Sequence, residues 1–150
     1  MANPAKNSPV AEQVTAMLSS DTNPVALKCA GVALTAADSK GGVMRWQNPE
    51  DSAIVITRVV LDVTSKTGAA CTLDVGVARS GNISSDNLID GLDVGAAAGP
   101  FDNIADKGVN GKERQRLDAK GGTTDYVTAS KATGATGGLA GNAYIFYYQV

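Results

Sequence analysis

Residues 53–78 read AIVITRVVLDVTSKTGAACTLDVGVA, two apolar β-type runs joined by the polar corner Lys66-Thr67-Gly68. In the second run Cys71, Leu73, Val75 and Val77 fall on one face, and Thr72, Asp74, Gly76 and Ala78 on the other. Successive strand side chains point to opposite faces, so this alternation predicts a strand with one face buried. In the first run strict alternation sets Val55, Thr57, Val59, Leu61 and Val63 on one side. Ile54, Ile56, Arg58, Val60, Asp62 and Thr64 then share the other. Both sides are apolar at one end, which predicts a central strand covered over part of its outer surface.

The same texture recurs on both sides of this stretch. "VALKCAGVALTA" (Val25–Ala36), "KERQRLD" (Lys112–Asp118) and "TDYVTASKA" (Thr124–Ala132) read as strands. The terminal "NAYIFYYQV" sets Ala143, Ile145 and Tyr147 on one face against Tyr144, Phe146 and Tyr148 on the other. Between Ser80 and Gly111 the pairs Asp90-Gly91 and Asn110-Gly111 signal turns, and short loops with one or two edge strands are expected. Seven or eight short strands with turn chemistry at regular intervals predict an antiparallel β-sandwich or jelly roll.

A change of texture at Gly41-Gly42 divides the chain into an N-terminal arm, 1–41, and a β-sandwich domain, 42–150. The arm is expected to be helical or extended. Ser8-Pro9 reads as a cap with proline at the first helical position. A short helix over 9–19 then presents Val10, Val14, Met17 and Leu18 as one apolar stripe, with a strand near 25–34. So short a helix is marginal alone and needs a surface to lie on.

The chain has 150 residues, enough for one domain that buries roughly 68–70% of its unfolded surface without metal or disulfide staples. Its 17 glycines and 5% aromatic content suit tight corners rather than a helical bundle. A net charge of −2 argues against a nucleic-acid binder, which gathers lysine and arginine. The chain contains no histidine, which removes the commonest general acid/base and the commonest transition-metal ligand. Cys29 and Cys71, the two cysteines, lie inside apolar runs and read as small buried hydrophobes in preference to a bridge. No run approaches the 18 or so apolar residues of a membrane-spanning helix, and no signal-peptide pattern opens the chain, so synthesis in the cytoplasm is expected.

The sequence carries no complete motif for chemistry. No G-x-S-x-G elbow is present, and a Ser or Cys triad lacks its base. "GVNGKE" (108–113) has Asp106 where a phosphate loop needs glycine, and Glu113 where it needs Ser or Thr. Asp86, Asp90, Asp93, Asp102 and Asp106 suggest an oxygen-rich calcium site, but an EF-hand register from Asp86 puts Leu88 and Ala97 at ligand positions. The aspartates read better as turn caps. No catalytic residue, metal site or cofactor is expected, and the chain is not expected to be an enzyme.

Several stretches carry a resemblance. "NPEDSAIVITRVVLDVT" (48–64), "CTLDVGVA" (71–78), "SSDNLIDGLDVG" (84–95), "GPFDNI" (99–104) and "YVTASKATGATGGLAGNAYI" (126–145) together resemble small virion structural proteins of tailed bacteriophages, of the capsid decoration, cement or head-fibre type. The resemblance spans about two-thirds of the chain, from Trp46 onward, and implies a β-sandwich without an active site. It implies a head protein that binds the assembled major capsid protein lattice, often as a homotrimer, and reinforces it from the virion surface. On that reading Val10, Val14, Met17 and Leu18 are the expected capsid contact. Tyr144, Phe146 and Tyr148 are the expected packing surface between subunits, aromatics being enriched at interface cores. The alternative is a tail or fibre-tip module that recognises a host surface glycan through the Ser80–Gly111 loops.

Overall fold

The structure is a computed structural model and describes residues 26–150. The expected helix over 9–19, with Val10, Val14, Met17 and Leu18, lies outside the described residues. Within them the protein is all β, with nine strands. These are β1 (Lys28–Thr35), β2 (Gly42–Gln47), β3 (Ile54–Ser65), β4 (Cys71–Ala78), β5 (Ile89–Asp93), β6 (Gly99–Asp102), β7 (Gln115–Leu117), β8 (Tyr126–Gly134) and β9 (Ala140–Gln149). No described helix is long and apolar enough to cross a membrane.

The strands form two antiparallel sheets. One runs β1-β9-β3-β6, with β7 also paired to β3; the other runs β2-β8-β4-β5. Their facing sides make one core, which includes Leu34, Ile54, Ile56, Val59, Leu61 and Ile145 from the first sheet. Leu73, Val75, Val77, Val127 and Ala129 face them from the second. This is the expected β-sandwich. β1, set with the arm on sequence grounds, pairs with β9 along its whole length, from Lys28 opposite Tyr147 to Thr35 opposite Ala140.

β4 follows its alternation on the core side, where Cys71, Leu73, Val75 and Val77 are all buried; on its other face Thr72 and Asp74 are partly open, but Gly76 and Ala78 are buried as well. β3 does not. Its register against β9 shifts between Ile56 and Arg58, so Thr57 is an extra residue. A bulge of this kind changes the phase of a strand. Ile54 and Ile56 therefore lie on the same buried side as Val59, Leu61 and Val63. Strict alternation had put the two isoleucines on the opposite face.

Asn103 holds this bulge. β7 pairs with Ile54–Ile56 and β6 with Val60–Val63, which leaves a gap on one edge of β3 around Val59. Asn103 fills it: Val59 N donates to Asn103 Oδ1 at 2.7 Å, and Asn103 N donates to Val59 O at 3.3 Å. Its side-chain amide donates to the carbonyls of Lys112 and Glu113 at 3.1 and 3.0 Å. A buried polar group is stable only with such partners, and here all are supplied.

Candidate functional site

The outer side of the first sheet carries Tyr144, Phe146 and Tyr148, the residues expected to pack subunits together. β9 directs Ala143, Ile145 and Tyr147 into the core and Tyr144, Phe146 and Tyr148 outward, as the alternation requires. Tyr144 is 37% exposed, and Phe146 and Tyr148 are half-buried. The stripe has small residues on one side. Tyr144 stands opposite Gly31 and Phe146 opposite Cys29 on β1. A Cβ at Gly31 would meet the Tyr144 ring at 3.7 Å, so the ring lies over the glycine. On the other side are Val55, Arg58 and Val60 of β3, opposite Tyr148, Phe146 and Tyr144. An ion pair between Arg58 and Asp102 stands at the rim. This is an aromatic strip with a polar edge, suited to meeting another surface.

The densest polar cluster lies at one end of the same sheet. Lys28 Nζ donates to Glu50 Oε1 at 2.8 Å, and Tyr147 Oη donates to the same oxygen at 3.1 Å. Gln149 Nε2 donates to Glu50 Oε2 at 3.0 Å and to Ser52 Oγ at 3.2 Å. The Tyr147 ring also meets Trp46 of the second sheet, with centroids 5.3 Å apart. The Lys28 hydrogen bond is the main cause that lowers the Glu50 pKa. Burial, and then Glu50, push the Tyr147 phenol up to about 12. A carboxylate held ionised and a phenol held protonated are matched to each other, and neither is poised for proton transfer near neutrality. The cluster fastens β1, β9 and the β2–β3 corner.

The acidic residues from Asp86 to Asp106 are dispersed over turns. Asp93 Oδ1 accepts from Gly95 N and Ala96 N at 2.9 and 3.0 Å. Asp102 Oδ1 accepts from Ile104 N and Ala105 N at 2.7 and 2.8 Å, and Asp106 Oδ2 from Asp102 N at 2.9 Å. Asp90 and Asp86 accept from Asn110, through its backbone and side-chain nitrogens, at 3.1 and 2.9 Å. For Asp102 burial works to raise the pKa, but these backbone donors and Arg58 outweigh it and the net shift is downward. Asp74 moves the other way: burial raises it, and Asp90 and Asp86 add to the rise. Among the described residues no three carboxylate or thiol groups converge as metal ligands. The strand expected over Lys112–Asp118 is only Gln115–Leu117, so of the basic residues Lys112, Arg114 and Arg116 just the last lies in a strand.

Both cysteines are free; Cys71 is buried and Cys29 is exposed beside Phe146. The expectation of burial thus holds for Cys71 alone. Sequence reasoning found the β9 stripe but missed Cys29, Gly31, Val55 and Val60 around it. Their proximity depends on strand order, for which no local signal exists. Glu50 was missed for the same reason.

No protein-family model matches the chain, and no curated protein does. Among solved structures, a chain of the "Cyanophage Pam1 capsid asymmetric unit" is similar at a TM-score of 0.45 and 19% identity, over 99% of this chain and 100% of that one. So loose a likeness leaves the function to be argued from the residues themselves.

Proposed function

We propose that this protein is a non-enzymatic structural component of a tailed-bacteriophage virion that decorates the capsid. It binds the assembled major capsid protein lattice and reinforces it from outside, after synthesis in the host cytoplasm. One observation carries the reading: aromatic side chains beyond the core are set side by side on an outer sheet face, while the polar clusters are consumed by turns and corners. Such a molecule offers a surface rather than a reaction site. The sequence resemblance to phage decoration and cement proteins supplies the class of partner.

The physical mechanism is multivalency. A subunit touching two or three capsid proteins gains effective concentration at each further contact and staples them together. Val10, Val14, Met17 and Leu18 make one of these contacts, and Tyr144, Phe146 and Tyr148 pack copies of the protein together, as a trimer if the resemblance extends so far. Immunogold labelling of intact particles with an antibody against this chain tests the reading. Label spread over the head supports it. Label confined to the tail tip replaces it with glycan recognition by the Ser80–Gly111 loops, and no label refutes both.

A further inference from the structure

The two sheets end together on one side of the sandwich, at β1 in the first and β2 in the second. Between them runs a groove of about 390 Å³ lined by Val32, Ala33 and Thr35 of β1 and by Gly42–Arg45 of β2. A strand at the end of a sheet presents a row of unpaired N–H and C=O groups, and proteins guard such edges with charges, prolines, bulges or shortness. Three of the four sheet ends here are guarded. β2 carries Arg45 and a register shift between Gly42 and Met44. β5 is five residues long, with Asp90 and Asp93. β6 is four residues with Pro100, and β7 is three with Arg116.

β1 has no such device. It is eight residues long, pairs with β9 without a bulge, and after Lys28 reads CAGVALT, with no charge and no proline. Among the described residues nothing pairs with its other edge. Ala30 and Val32, packed against the core, are only half-buried there, whereas Leu34 further along is 1% exposed. Among the described residues the core is therefore left partly open along this one strand.

From these features we infer that the free edge of β1 pairs antiparallel with β1 of a second copy. The two first sheets then join about a two-fold axis. A two-fold contact brings the same patch together twice, so it requires a surface that complements itself. An uncharged, small-residue strand meets that requirement, because two copies approach without like charges opposed. It also covers Ala30 and Val32 of both copies. The charged or interrupted edges of β2 and β5 do not meet it. This contact is separate from the capsid attachment proposed above, and it is tested without capsids.

Ala33 is exposed on the outer face, so a charged side chain there leaves the core untouched. In a β1–β1 pairing centred within the strand, residue 33 of each copy lies on the same face near the axis, where like charges repel. Sedimentation velocity over a concentration series reads the mass. The expected result is a wild-type species with an even number of 15.2 kDa chains, two where the β1 pairing acts alone and six where the β9 stripe also packs trimers. Ala33→Lys and Ala33→Glu alone each halve that mass, and an equal mixture of the two restores it. Circular dichroism of each variant confirms that the sandwich is intact. A wild type at the single-chain mass, as would follow if another part of the same chain covered the edge, overturns the inference. So does a threefold mass, or a doubled mass unaffected by either charge.

Discussion

Asn103 holds four polar groups in place with one residue and has no exposed surface. Replacing it with alanine strands the Val59 N–H and the carbonyls of Lys112 and Glu113. The orphaned Val59 N–H is buried and costs about 1–3 kcal/mol, and the two carbonyls, on exposed residues, add less because water reaches them. Asn103→Ala is therefore expected to lower stability by about 2–4 kcal/mol, read as a shift of the urea midpoint at unchanged slope. Asn103→Asp keeps the acceptor but loses the two donors, and is expected to be no better than alanine. Tyr147 gives a pH signature. Its phenol titrates at about 12 in the folded protein against 10 as its ordinary value, so the folded state holds the proton more tightly. The associated stability is full below pH 10 and is lost as pH rises towards 12, amounting to about 3 kcal/mol. Tyr147→Phe sacrifices the bond to Glu50 but should flatten the alkaline limb, measured as melting temperature from pH 9 to 11.5. The Glu50 shift runs oppositely: its stabilisation is present above its ordinary value of 4.5 and fades as pH falls below it.

At the scale of elements, the segment after β4 is held down over the outer side of the second sheet. Thr128 Oγ1 donates to Ile83 O at 2.8 Å, Ser84 Oγ meets Ser130 Oγ at 2.6 Å, and Val77 N donates to Asn87 Oδ1 at 2.9 Å. Gly76 allows this approach, since a Cβ there would lie 2.5 Å from Ser85 Oγ and 2.6 Å from Asn87 Oδ1. Gly76→Ala is expected to lift the segment while the sandwich stays folded, seen as faster proteolytic cleavage within residues 79–88 with little change in far-ultraviolet dichroism. What could be read locally came true locally. The alternation in β4 and β9 was legible because neither buried face is interrupted. The phase of β3 was not, because its bulge is held by Asn103, which lies 44 residues on in the chain. Edge status was equally hidden. "KCAGVALT" looks like any apolar strand until strand order places it at the end of a sheet. The β9 stripe could be foreseen as a face, but its small-residue flank on β1 could not.

For the whole molecule, attachment to a capsid and integrity of the sandwich are expected to separate. Deleting residues 1–24 removes Val10, Val14, Met17 and Leu18 and leaves every described strand. The truncated protein should melt within a few degrees of the full chain yet co-sediment more weakly with purified capsids. Undiminished binding would remove the arm from the proposed mechanism and leave the sandwich surface as the attachment site.

The place of β9 has a consequence for how the molecule comes into being. The last strand lies between β1 and β3 and is the neighbour of both. Until residues 140–149 have left the ribosome, β1 has no partner in its sheet and β3 lacks one whole side. Half of the sandwich thus waits for residues 140–149 to be made, and its closure joins residues more than a hundred positions apart, a slow kind of event. A chain cut short anywhere before β9 cannot assemble the first sheet. The fold thus acts as its own check that β9 has been made, because β1 joins the sheet only through that strand.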